Sequence, residues 1–259
     1  MPSAHDVTDG GCSQADSRND RRFRNDAGML TTNPLIVVRN QSKLSTNVAW
    51  KLAWVLHYYV QWQLGPIWKV GAEVKLMPAD ANVPLDAWII DLLNTSDEPG
   101  ALGYHDEEGN ERPFGRVFVE TAEQNNLSPS EVLTHEAAEM LGDPHVNLSA
   151  FDPNSKRLYA VELCDACQGG AYDLAAPYNR PPVGYTVADF VRPSYFDPKT
   201  DPDSQTDYRG ILKGPFSLAS QGYVSYATAL PPEWQQAMGD KANPAHVDAD
   251  DRVARRGAY

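Results

Sequence analysis

The chain has 259 residues, 42% hydrophobic and 22% charged, a composition that fits a soluble globular protein with length for one large domain or two small ones. A net charge of −13 offers no basic face to phosphates, so a general nucleic-acid binder is excluded and no membrane partner is expected. The longest apolar stretch, residues 48–64, is interrupted by Lys51, His57, Gln61 and Gln63, and no leader-like apolar run precedes it. A cytoplasmic location is the default expectation, with leaderless release as the alternative.

Residues 1–33 lack hydrophobic periodicity and read as a flexible tail. Residues 34–39 form a β-branched run that predicts a strand. Ser45, Thr46 or Asn47 then caps a helix expected to reach about Leu64, where Gly65-Pro66 stops it. Trp50, Trp54 and Tyr58 recur at four-residue steps, which reads as a core-facing aromatic stripe, with His57 structural beside it. Residues 72–77 alternate as a second strand, and 87–93 read as a third, buried one. A polar loop is expected over 100–115, including an exposed His105, followed by a strand over 116–120. This order implies an α/β sheet with helices on one face.

Residues 127–145 carry the chemistry. Ser128 caps, Pro129 opens the helix, and Glu131 completes a capping box; Leu127 and Val132 can staple across the cap. Gly142, read as a left-handed terminal residue, with Pro144 beyond it, ends the helix after Leu141. His135 and Glu139 lie four apart on one face and can bind one cation. A turn at Gly142 lets His145 return as a third ligand, and Glu136 sits beside the open position as a base. Two imidazoles, one carboxylate and a water position match catalytic zinc sites.

The pattern His135-Glu136-x-x-Glu139-x-x-Gly142-x-x-His145 resembles the metzincin signature HExxHxxGxxH, with Glu in place of the second His. The upstream strand and helix order is similar to the metzincin N-terminal subdomain as well. The resemblance implies a mixed sheet with a backing helix and an active-site helix over residues 34–147. An edge strand at 116–120 would receive the substrate. Two departures stand out: the carboxylate ligand leaves the zinc centre with one unit less positive charge, and no Met-turn follows. Residues 191–198 offer an aromatic floor instead, through Tyr195 or Phe196.

Residues 148–247 read as a loop-rich C-terminal subdomain with a short helix over 231–238, and 248–259 as a second flexible tail. Cys164 and Cys167 form a lone CxxC, read as a local disulfide or two plain thiols; Cys12 lies in the first tail. Asp143 and Glu162 are the competing carboxylate ligands. The acidic run Asp197, Asp201, Asp203, Asp207 lacks EF-hand spacing and reads as a solvated loop. The expected function is a zinc-dependent hydrolase with one Zn2+, a metallopeptidase taking a peptide or protein substrate. The alternatives are a non-catalytic binding or structural protein on the same scaffold, and a hydrolase of non-peptide amides or esters.

Overall fold

The computed structural model describes residues 23–24, 30–31, 33–109, 111–174, 184–228 and 233–241. The chain divides into two units, Met1–Thr32 and Asn33–Tyr259. In the first, strand β1 (Phe23–Arg24) pairs antiparallel with β2 (Leu30–Thr31); the rest of the expected tail, Cys12 included, lies outside the described residues. The expected tail at 248–259 lies outside them too.

The second unit is built on a five-stranded mixed sheet. Its strands are β3 (Leu35–Asn40), β4 (Glu73–Pro78), β5 (Trp88–Leu93), β6 (Gly103–Glu108) and β7 (Arg112–Phe118), in the order β4-β3-β5-β7-β6. The first four in that order run parallel, and β6 closes the sheet antiparallel to β7. Ile36, Val38, Ile90 and Leu92 on the central strands share one face of the sheet and are buried there in the core. Arg39 and Asp91 on neighbouring strands form a two-bonded ion pair with both contacts at 2.6 Å.

Two of these strands depart from the expectation. The polar stretch read as a loop is the hairpin β6–β7, turning at Glu111 with φ of 60°. Asp106, Glu107 and Glu108 hide the strand because an edge strand need not alternate apolar and polar residues. Residues 116–120 are therefore not an edge: β7 lies inside the sheet, and the chain turns at Val119 into helix α3 (Val119–Gln124).

Helix α1 (Thr46–Tyr59) is capped by the Ser45 hydroxyl, which accepts from the Val48 amide at 3.3 Å. It does not stop at Gly65-Pro66. A wide π-helical turn (Val60–Leu64) leads into helix α2 (Gly65–Trp68), which ends at left-handed Lys69. Gly65 permits this because a Cβ there would lie 2.6 Å from the Val60 carbonyl oxygen. The Trp68 indole N–H then ties the helix end to the Val191 carbonyl at 2.7 Å.

The aromatic stripe meets the core only at the half-buried Tyr58. Ala49, Leu52, Ala53, Leu56 and Tyr59 fill the core, while Trp50 and Trp54 are 47% and 37% exposed and pack against each other at 5.5 Å. The three-and-four spacing of the smaller apolar residues sets the buried face; the aromatic step of four lies beside it.

Helix α4 (Pro129–Gly142) contacts α1, β6 and β7, so both long helices cover one face of the sheet. The later region is not only loops. Strands β8 (Ser149–Asp152), β9 (Arg157–Ala160), β12 (Tyr223–Ala227) and β13 (Trp234–Met238) form an antiparallel sheet, ordered β13-β12-β9-β8. The helix expected near 231–238 is strand β13 over its described part, because Trp234 to Met238 pair along β12. Strand β10 (Tyr172–Asp173) pairs antiparallel with β11 (Thr186–Val187). No helix among the described residues is long and apolar enough to cross a membrane.

Candidate metal centre

The site is assembled on α4. Its start follows the expected signals: Ser128 Oγ accepts from the Ser130 amide at 3.3 Å, and the Ser128 amide bonds the Glu131 side chain. Along the buried face, Thr134 Oγ1 accepts from the Ala188 amide at 3.0 Å, which fastens the β11 segment to the helix. The helix end differs from expectation. Gly142 remains helical, and the sharp turn falls at Val146, with φ of 51°. The fully buried Asp143 holds that turn by accepting from the Asn147 and Leu148 amides at 3.1 and 2.9 Å. Asp143 is thereby engaged as a cap, and neither metal-holding group among the described residues includes it.

His135, Glu136 and Glu139 come together as the helical spacing requires. His135 Nε2 lies 3.2 Å from Glu139 Oε1 and 3.2 Å from Asp165 Oδ1. Burial disfavours the imidazolium, yet Glu139, Asp165 and Glu136 around it raise its pKa well above the usual range. Burial likewise opposes the Glu139 carboxylate, but His135 and His105 hold its pKa well below the usual range. Burial and Glu139 push Asp165 the opposite way, to about 6.

His145, the expected third ligand, is not brought to this pair. The turn at Val146 leaves it half exposed, with Nδ1 3.0 Å from Glu107 Oε2 on β6. Two other residues take up the space. Cys164 offers its Sγ within 4.8 Å of the His135 and Glu139 donors, and its amide bonds Glu139 Oε1 at 3.3 Å. His105, expected in an exposed loop, is buried on β6 with Nδ1 3.5 Å from Glu139 Oε2 and 3.9 Å from Glu136 Oε2. Glu162 does approach from the later region, with Oε2 3.9 Å from His105 Nε2.

The CxxC contributes through its first residue. Cys164 and Cys167 are free, buried thiols around a short 3-10 turn (Asp165–Cys167), and burial raises both pKa values well above the usual range. The turn packs on β12, whose Tyr223 bonds Asp165. Tyr195 and Phe196, the expected floor, pack instead with Phe216, and the Tyr195 hydroxyl donates to the Ser217 carbonyl at 3.1 Å. Within the acidic run, Asp207 is buried and accepts from the Ile211 and Leu212 amides; no metal-holding group includes any of these residues among those described.

A cleft lined by Gly103, Glu131, His135, Glu136, Cys164 and Tyr223 opens over the site, with about 60 Å³ for water-sized occupants. That space suits an ion with a few waters. Gly103 matters here: a Cβ on it would lie 2.7 Å from Glu136 Oε1 and 2.8 Å from the Arg116 carbonyl oxygen. Only glycine lets the carboxylate come this close to the edge strand. The residues fit a divalent cation: a half-buried imidazole, a carboxylate held ionised and a thiol within one coordination sphere. The chain matches no protein-family model, and neither the curated proteins nor the solved structures contain a significant match.

Proposed function

We propose that the chain is a zinc-dependent hydrolase acting on peptide bonds, with His135, Glu139 and Cys164 as ligands and Glu136 as base. The observation that carries this reading is the His135–Glu139 contact at 3.2 Å, with Glu136 buried beside it in an open cleft. Asp165 Oδ1 lies 3.2 Å from the same His135 Nε2 that faces Glu139, so it borders the position the ion would take. The ligand set replaces His145, which is engaged with Glu107. The resemblance to metzincins belongs to the same proposal; a mixed sheet with an antiparallel outer strand beside the His-Glu helix supports it.

A bound zinc ion would polarise a water and the substrate carbonyl. Glu136 accepts the proton of the attacking water and returns it to the leaving amine. An extended peptide adds to β6, the outer strand next to the cleft, where main-chain bonds align it. Glu136→Gln tests the assignment: the variant keeps its zinc and loses hydrolysis of a peptide library. Zinc-free wild-type protein, purified without chelator and unable to take up zinc, would refute the reading. A second reading, a binding protein without catalysis, draws on the diversion of His145 to Glu107. Zinc binding with no turnover by wild type across the library selects it.

A further inference from the structure

We infer that the chain holds a second divalent cation, between His105 Nδ1, Glu136 and the outer oxygen of Glu139. The two oxygens of Glu139 face different partners. Oε1 lies toward His135 and the Cys164 amide, at 3.2 and 3.3 Å, while Oε2 lies 3.5 Å from His105. Two three-donor groups therefore share this one carboxylate: His135, Glu139 and Cys164 on one side, His105, Glu136 and Glu139 on the other. In each, the donor atoms lie within 4.8 Å of one another, and the second group is buried throughout. A carboxylate with one oxygen on each ion is a bridge, and it holds ions about 3.5–4 Å apart in two-metal sites.

Charge argues the same way. Glu136, Glu139, Glu162 and Asp165 crowd around two imidazoles. Carboxylates this close repel one another, and a second divalent ion between them offsets that repulsion. Glu162 Oε2 lies 3.9 Å from His105 Nε2, on the side of the ring away from the proposed ion. The two positions also differ in softness. The first includes a thiol; the second has one imidazole and two carboxylates, which suits manganese as well as zinc.

The functional consequence rests on the hydrolase reading. A Glu136 carboxylate that ligates an ion no longer accepts a proton, so filling the second position inhibits turnover. The binding itself does not depend on catalysis.

The test uses the full chain loaded with one equivalent of zinc and titrated with manganese chloride. Electron paramagnetic resonance counts the free manganese, and its pulsed form detects nitrogen coupled to the bound ion. The expected result is one manganese per chain, coupled to a single imidazole, with hydrolysis falling as the ion binds. His105→Gln should retain zinc, lose the nitrogen coupling and bind manganese at least about tenfold more weakly. No uptake by wild type in manganese excess, uptake without nitrogen coupling, or unchanged binding by His105→Gln would each overturn the second site. Manganese binding without inhibition would overturn the inhibitory role alone. Should zinc fail to bind, the hydrolase reading falls, and loss of nitrogen coupling in His105→Gln still decides the second position.

Discussion

The Leu163 side chain fills the space that a side chain on Gly142 would need: a Cβ there would lie 2.3 Å from Leu163 Cδ1. The glycine serves close packing of the last helical turn against the segment that carries Cys164. Gly142→Ala should therefore destabilise the fold by about 1–3 kcal/mol despite the better helix propensity of alanine. Chemical denaturation of Gly142→Ala, Leu163→Ala and the double variant reads the contact. The two changes should be less than additive, since a shortened Leu163 makes room; strict additivity would mean the residues do not meet.

His145 and Cys164 offer opposite outcomes for metal binding. His145→Ala should leave zinc affinity within a few-fold of wild type, because Nδ1 is engaged by Glu107. Cys164→Ala should weaken zinc by more than about 100-fold, as loss of a direct ligand exceeds the cost of losing an orienting group. Competition with a chromophoric chelator measures both. The reverse ranking would restore His145 as the third ligand.

Asp143 should behave as a structural residue. Its buried carboxylate accepts two amides beyond the helix, and the left-handed Val146 depends on them. Asp143→Ala leaves both amides without that partner and should cost about 3 kcal/mol in denaturation. Its zinc stoichiometry should stay at the wild-type value. Loss of zinc from a folded Asp143→Ala protein would make Asp143 a ligand after all.

The helix that bears the site was legible because its signals are local: the Ser128 cap, Pro129 and the four-residue step from His135 to Glu139 all act within one helix. What lay beyond the helix was not. His105 sits in a strand too acidic to alternate, and only its pairing with β7 buries it against α4. Cys164 approaches from a chain segment 25 residues away from Glu139, a proximity no local pattern encodes. A positive φ at a valine, rather than at the nearby glycine, likewise redirected His145 against the usual preference.

Asp189 should give stability a pH slope. Burial, followed by the neighbouring Asp207 carboxylate, raises its pKa from 3.8 to about 8. Between these values the folded protein keeps a proton that the unfolded chain has released, so stability falls as pH rises. The full contribution is present below about pH 4, declines by up to about 1.4 kcal/mol per pH unit, and is lost once pH passes about 8. Asp189→Asn, which can still donate to Asp207, should flatten that slope. Denaturation series at several pH values check it, and an unchanged slope would place the proton elsewhere.

The two outer strands of the five-stranded sheet are unlike in a way that bears on self-association. Strand β4 exposes Glu73 and Lys75, paired with each other at 2.8 Å, and it ends at Pro78, which has no amide to offer. Such features discourage a second sheet from docking there. Strand β6 presents Asp106, Glu107 and Glu108 in succession, so two copies meeting edge to edge would set like charges opposite each other. Both outer strands thus carry features that disfavour the pairing of two copies edge to edge.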